Sequence, residues 1–486
     1  MTSVFANKRV LKKCLLAIAI CAALILLFYW ASGERLYYEQ WSSKVPDAQE
    51  QIAVLHDGSK VSFDIDEKCD RLESVSIYIG TIDDKSTGSV IVDISAPGKG
   101  PIARVNAPLA KLSEYSYYTF NLRKPYNAAG VEKFRILVTT DGVTEKQNLS
   151  LWSNNSFTTG KYTLSDMNDT AYYLDGKKAS GKVCAYISGR NYYLIGRIFW
   201  PSAIALFILF VVFVFNFSSR FLAGKEAWDI GLYITCMRYK FLMRQLVGRD
   251  FKKKYKRSIL GFGWTILNPL LTMMVQYVVF STIFKTSIDN FVTYLLTGIV
   301  LMGFCTESIG LGLSSIIDNA HLINKVYMPK EIYPLSRVIS STINLLLAMI
   351  PLLAVAFLSG APVSKALLLL PIDLVLLLLF CYGMVLILST SMAFFSDTMF
   401  LWNVLSTLWM YLTPIFYPID IIPDQFLTVY KMNPMYQFIT FMRTILIDGQ
   451  APTPGNYLGC IISAAVVLII GRYVFKKNED KFILYL

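Results

Sequence analysis

Residues 366–394 read ALLLLPIDLVLLLLFCYGMVLILSTSMAF, a run whose one charged side chain is Asp373. A hydrocarbon core of ~30 Å needs ~20 consecutive, mostly apolar residues in a helix, and this run exceeds that. Working outward, similar blocks fall at 14–30, 198–217, 263–284, 291–316, 335–358, 399–416 and 457–474. The sequence therefore predicts an α-helical membrane protein with eight transmembrane helices, two followed by six. A chain of 486 residues that is 54% hydrophobic and 16% charged is too apolar for a soluble globule.

The net charge of +12 raises nucleic acid as a partner, but its distribution argues against that. Residues 34–197 carry 20 basic and 20 acidic side chains, whereas residues 218–262 carry 11 basic and three acidic. Lys8, Arg9, Lys12 and Lys13 precede the first apolar block, and Arg472, Lys476, Lys477 and Lys481 follow the last. Basic residues flanking apolar spans mark the cytoplasmic side. Both termini are expected in the cytoplasm, in a multi-pass protein of the cytoplasmic membrane. Ala31-Ser32-Gly33 also permits signal cleavage, although the bulky Phe28-Tyr29-Trp30 favours an uncleaved anchor.

The region between the first two spans reads as β and is expected outside. Val61, Phe63 and Ile65 alternate with polar residues, as do Val75, Ile77 and Ile79, then Val90, Val92 and Ile94. Tyr118/Phe120/Leu122, Phe134/Ile136/Val138 and Val183/Ala185/Ile187 repeat the pattern, with turns at Ala96-Pro97-Gly98, Asp141-Gly142 and Asp175-Gly176. An antiparallel β-sandwich is predicted. Cys69 and Cys184 in this region either bridge as a disulfide or remain two buried thiols. The expected organisation is 1–32 anchor helix, 33–197 β-sandwich, 198–217 second span, 218–262 basic amphipathic segment, 263–475 six-helix core and 476–486 tail.

In the basic segment, Val247, Phe251, Tyr255 and Ile259 recur every four residues, opposite Arg249, Lys252, Lys253 and Lys256. That pattern suits a helix lying in the anionic inner headgroup layer, or a soluble helix with a solvated basic face.

Catalytic chemistry is poorly represented. Residues 176–183, GKKASGKV, nearly spell a phosphate-binding loop, but Val183 stands where the Mg²⁺-binding hydroxyl belongs, so a basic turn is expected. His56 and His321 fall on opposite sides of the membrane, which leaves no His-based metal site, and no metal is expected. Glu307 lies mid-span, either lining a pore or hydrogen-bonded in a helix contact; Asp373, near the start of its span, is expected at the interface.

Three motifs in order narrow the reading. The first is Leu246-Val247-Gly248-Arg249-Asp250-Phe251-Lys252 through Tyr255-Lys256, then Ser258-Ile259-Leu260-Gly261, Trp264 and Leu267-Asn268-Pro269-Leu270. The second is Leu322-Ile323-Asn324-Lys325-Val326-Tyr327-Met328-Pro329-Lys330-Glu331-Ile332-Tyr333-Pro334, and the third is Thr413-Pro414-Ile415-Phe416-Tyr417-Pro418 followed by Asn433-Pro434. Together they resemble the permease of ABC-2 type exporters, in the branch that moves O-antigen, capsule and teichoic acid chains. The resemblance covers just over half the chain. It leaves the front half as an addition, whose residues 72–79 look faintly like jelly-roll modules of glycan proteins.

The resemblance implies a permease subunit without its own nucleotide-binding domain, and not an enzyme. It implies two copies of this chain, two copies of a separate ABC ATPase that uses ATP and Mg, a lipid-linked polysaccharide substrate and no cofactor on this chain. Asn324, Lys325, Val326, Tyr327, Pro329, Lys330 and Glu331 would form the ATPase-coupling segment. Arg249, Lys252, Lys253, Lys254, Lys256 and Arg257 would meet membrane lipid or a substrate pyrophosphate. Tyr277, Phe280, Trp402, Trp409 and Tyr411 are candidates beside Glu307 for lining a sugar path, or else packing and interface aromatics. The outer β domain would contact the emerging glycan. An ABC-2 exporter of small molecules or peptides, or a membrane-bound polysaccharide-modifying enzyme, is the alternative.

Overall fold

The computed structural model describes residues 2–43, 50–80, 88–112, 115–143, 149–153, 171–180, 183–222, 239–256, 258–284, 290–323 and 328–485. The chain divides into two units, Tyr37–Arg197 and the remainder.

The Tyr37–Arg197 unit is a β-sandwich. One sheet has the order β1 (Tyr38–Ser42), β12 (Ala185–Tyr192), β4 (Arg71–Gly80), β9 (Leu149–Ser153) and β2 (Glu50–Leu55), with β7 (Ser116–Asn127) also paired to β4. The second runs β11 (Lys177–Ser180), β10 (Ala171–Leu174), β3 (Lys60–Ile65), β8 (Phe134–Asp141), β5 (Ser89–Ala96) and β6 (Gly100–Pro108). The pairings are antiparallel. The alternating residues read from the sequence point inward: Val75, Ile77, Val90, Val92, Ile94, Phe134 and Ile136 are all buried in one core. Asp175 and Gly176 both take positive φ, at 48° and 82°, and turn β10 directly into β11. That is the geometry of a two-residue hairpin. The phosphate-loop lookalike is thus a strand hairpin at 176–180, with Gly181 and Lys182 outside the described residues.

Cys69 is a free thiol, so of the two readings the bridge to Cys184 is the one not formed. The register explains why. Cys184 lies opposite Tyr78, its carbonyl accepting from the Tyr78 amide at 2.8 Å, whereas Cys69 precedes Arg71, whose partner is Arg190. Strand residues advance ~3.3 Å each, so the two cysteines sit near opposite ends of β4, far beyond the ~7 Å limit for Cα atoms in a disulfide. Burial pushes the Cys69 thiol up to about 11.

The other unit is helical: α1 (Thr2–Ser32), α2 (Leu194–Leu222), α3 (Lys240–Tyr255), α4 (Gly263–Phe284), α5 (Phe291–Leu313), α6 (Ile332–Leu358), α7 (Leu370–Phe394), α8 (Thr398–Leu412), α9 (Asp424–Met432), α10 (Pro434–Leu446) and α11 (Pro454–Asn478). Among the described residues, seven helices are long and apolar enough to cross a membrane, against the eight expected. The eighth expected span, 399–416, is the difference. Its helix α8 ends at Leu412, because Thr413 turns extended before Pro414, and 15 residues reach only about 22 Å. The chain then returns through α9 and α10, two helices the sequence reading lacked.

The core is built by α5, α6, α7, α10 and α11. By contrast α1, α2 and α4 expose long apolar faces, such as Leu206 and Leu209 on α2 and Val275 and Val278 on α4. Such surface requires lipid or another chain. Asp373 lies in the first turn of α7 and is fully buried within the protein, at 0% exposure.

Helices α7 and α11 cross at Gly383 and Gly471. A Cβ at Gly383 would lie 2.7 Å from backbone atoms of Leu468, and one at Gly471 would lie 2.4 Å from the Gly383 carbonyl oxygen. Only a missing side chain allows this approach, the usual device for packing membrane helices. Gly383→Val is therefore expected to destabilise the protein by about 3 kcal/mol or more. The check is the monodisperse fraction surviving a temperature series in detergent; an unchanged curve refutes the close crossing.

Candidate functional site

The polar residues of the helical unit gather where α3 meets α4, α5 and α6. Leu246 of α3 is 4% exposed, and Leu242 and Met243 also pack on the core. The helix therefore packs on protein along this face, while the Val247, Phe251 and Tyr255 row is only half-buried. Ile259, expected to extend that row, lies beyond the helix end and is fully exposed, as the chain turns at Gly261 with φ 53°.

Asp250 decides the docking. Its Oδ1 lies 3.1 Å from Arg337 Nη1 on α6, both side chains being under 10% exposed. Arg337 Nη2 donates to Asp318 Oδ2 at 2.9 Å, and Ser314 Oγ donates to the same oxygen at 2.9 Å. Arg249 donates to Asp250 and, at 3.1 Å, to Asn319 Oδ1. A carboxylate taken out of water needs such partners, and Asp250 has two guanidinium groups.

One turn further along, Lys254 Nζ lies 2.7 Å from Glu307 Oε1, which also accepts from Asn344 Nδ2 at 2.7 Å. Asn344 Oδ1 accepts from the Tyr255 hydroxyl at 3.3 Å, and that hydroxyl also bonds Thr265. Lys254, Glu307 and Asn344 stand between two cavities and line both. One, of about 440 Å³, is bounded further by Tyr255, Trp264, Asn268 and Thr272. The other, of about 610 Å³, is bounded by Asp250, Lys253, Thr306, Asp318 and Arg337. Glu307 thus holds a hydrogen bond to a neighbouring helix amide and borders both cavities.

The remaining candidates fall in several places. Lys252, Lys253 and Lys256 are exposed, while Arg257 lies outside the described residues. Trp402 is buried at 6% exposure, and the Trp409 Nε1 donates to Asn433 Oδ1 at 2.9 Å. Both are packing residues, with ring centroids 6.4 Å apart. Phe280 stacks on Phe416 at 5.2 Å. Tyr277 and Tyr411 are exposed, at 40% and 58%. The aromatic set therefore divides, and only these two tyrosines keep substantial open surface.

Of the segment before α6, Asn324, Lys325, Val326 and Tyr327 lie outside the described residues. Pro329 begins the turn that leads into α6, its carbonyl accepting from the Ile332 amide at 3.3 Å. Lys330 Nζ donates to the Glu479 carbonyl and sits 5.9 Å from the Phe482 ring centroid. Glu331 Oε2 is 3.8 Å from Arg472 Nη2. The start of α6 is thereby fastened to the end of α11.

Sequence reasoning missed Arg337 and Asn344 as functional partners, and Arg443 altogether. A spacing signal existed for both, because Arg337 and Asn344 lie two turns apart on one face of α6.

The family model described as ABC-2 type transporter matches residues 242–447, the stretch that holds this cluster. The O-antigen export system permease protein RfbA of Myxococcus xanthus is 28% identical over 247 residues, covering 50% of this chain and 95% of that protein. The protein of the same name from Klebsiella pneumoniae is 30% identical over 243 residues, covering 50% of this chain and 93% of its own length. A second from Klebsiella pneumoniae is 28% identical over 243 residues. Near-complete coverage of these relatives, with the motif order above, settles the assignment. This chain belongs to the ABC-2 type polysaccharide-exporter permease family.

Proposed function

We propose that this chain is the membrane subunit of an ABC exporter that moves a lipid-linked cell-surface polysaccharide, of O-antigen, capsule or teichoic acid type, across the cytoplasmic membrane. A separate ATPase supplies the energy, using ATP and Mg, and two copies of this chain form the path. Both termini face the cytoplasm and the β-sandwich lies outside. The observation that carries this reading is the similarity over nearly the full length of relatives named as O-antigen export permeases.

The chemistry of the cluster supports it. A lipid-linked sugar is anionic at its head; Lys253 offers an exposed cation at the larger cavity, and Lys252 and Lys256 are exposed in the same segment. Trp264, Tyr255, Asn268 and Asn344 give the smaller cavity aromatic faces and amides, groups that suit a sugar. Movement enters through residues 324–331. Because Lys330 and Glu331 grip the end of α11, a push there shifts α6 and α11 together, as a rigid body.

A deletion strain is expected to lose surface polymer and to accumulate the lipid-linked form inside, with the full-length gene restoring export. Normal surface polymer in the deletion strain overturns the proposal. Glu331→Ala and Lys325→Ala are expected to reduce surface polymer about tenfold at unchanged membrane abundance, a coupling energy within the usual range. Export at the wild-type level in both variants removes the coupling role.

A further inference from the structure

The two outer faces of the β-sandwich differ in chemistry. The face of the β3/β8/β5/β6 sheet carries surface ion pairs, Arg135 with Asp64 at 2.8 Å and Arg104 with Asp93 at 3.6 Å. This is what a solvated sheet face ordinarily shows. The outer face formed by β12, β4, β7 and β9 instead carries a row of aromatic rings. Tyr186, Tyr117, Tyr78, Trp152 and Tyr115 follow one another with centroid separations of 5.2, 5.1, 5.9 and 5.7 Å.

Their direction follows from the register. Tyr78 pairs with Tyr117, and Tyr186 pairs with Ser76, all on the face opposite to the buried Val75, Ile77 and Ile79. Hydroxyls buried beneath the rings fix them: Ser76 Oγ lies 2.9 Å from Oγ1 of the exposed Thr119, and the Trp152 Nε1 donates to Ser150 Oγ at 3.3 Å. Gly80 sits beneath the end of the row, where a Cβ would lie 2.6 Å from Trp152 Nε1. The nearest ion pair on this face, Arg190 with Glu73 at 2.6 Å, satisfies its own charge.

We propose that this row is a binding site for a glycan chain of uncharged pyranose units. The proposal rests on the polysaccharide-export reading and places one of its contacts. Pyranose rings have apolar C–H faces edged by hydroxyls, which aromatic faces carrying tyrosine hydroxyls match. Adjacent rings are inclined at 63–89°, so the row is corrugated into shallow clefts and not a flat shelf. Clefts of this kind take puckered sugars better than a flat base, and five successive rings make the site extended. A protein partner is the poorer fit, because the outward neighbours of the rings on β4, β7 and β12 are Ser74, Ser76, Thr119, Asn121 and Ser188, with exposed Val54 of β2 at the edge opposite Ser150.

The full-length protein in lipid nanodiscs is titrated with delipidated surface polysaccharide from its own source cells, and with dextran as an unrelated polymer. Saturable binding of the cell's own polymer is expected, weakened roughly tenfold or more by Tyr78→Ala/Tyr117→Ala. Tyr78→Phe/Tyr117→Phe keeps the rings and is expected to bind within about twofold of wild type, which separates stacking from misfolding. No saturable binding by the wild type, or equal binding by the alanine variant, overturns the site. So does a change of oligomeric state in the alanine variant with unchanged polymer binding, which would mark the row as a contact between copies. Export is measured in the same strains: normal export without polymer binding rejects the aromatic site alone, and absent dependence of export on this gene rejects the export reading beneath it.

Discussion

Arg337→Met is expected to cost about 3–5 kcal/mol and to remove most folded protein from detergent extracts, the usual consequence of breaking a buried pair from one side. The reason is the carboxylate left behind. Asp250 is 7% exposed and Arg337 9%, so loss of the guanidinium leaves a largely buried carboxylate short of its best partner. Arg249 does not replace it, being 3.3 Å from the same oxygen but 43% exposed and shared with Asn319. Asp318 suffers less, because at 45% exposure it is hydrated. The double variant Asp250→Asn/Arg337→Met removes both charges and is expected to regain a large part of the loss, since matched removal of a buried pair is often near neutral. Size-exclusion profiles after heating measure both variants. Equal damage in the single and double variants would show that the pair does not hold α3 on α6.

Arg443→Met is the second large effect. Arg443 has no carboxylate partner among the described residues; its guanidinium donates to the carbonyls of Tyr294, Pro414 and Ile415 at 3.1, 2.9 and 3.1 Å. It also lies 3.3 Å from the centroid of the Tyr294 ring. One side chain of α10 thus holds the first turn of α5 and the Thr413–Tyr417 turn together. Each buried carbonyl left without a donor costs about 1–3 kcal/mol, so the variant is expected to lose several kcal/mol. Arg443→Lys retains charge but not the planar fork, and is expected to recover less than half. Gly298 allows this packing, because a Cβ there would be 3.2 Å from Arg443 Nη2. A heating profile matching wild type in Arg443→Met would show that the turn is held by Pro414 and Tyr294 without it.

Much of the fold was legible because its signals are local. Apolar run length marks a span without any knowledge of neighbours, and period two marks a strand with one buried face. The Asp175-Gly176 turn was equally readable, since positive φ at two consecutive positions selects those residues. The failures share a cause. The run 399–416 carries no charge and is mostly apolar, so its hydropathy gave no warning that the helix would stop before Pro414 and the chain continue through α9 and α10. The basic helix was given an apolar row by spacing alone, whereas the requirement of Asp250 for Arg337 turned Leu242 and Leu246 inward.

By itself, then, the sequence determined the membrane class, the position of the β region between two spans and, through three ordered motifs, the exporter family. Each is written in short stretches of neighbouring residues. Only the tertiary structure decided which charges are partners, that Cys69 and Cys184 stand apart, that Trp402 and Trp409 pack in the core, and that four strands and the turn before β7 bring five rings into one row. Those depend on residues distant in sequence meeting through strand register and helix crossing, and a side chain's type does not state what will lie opposite it.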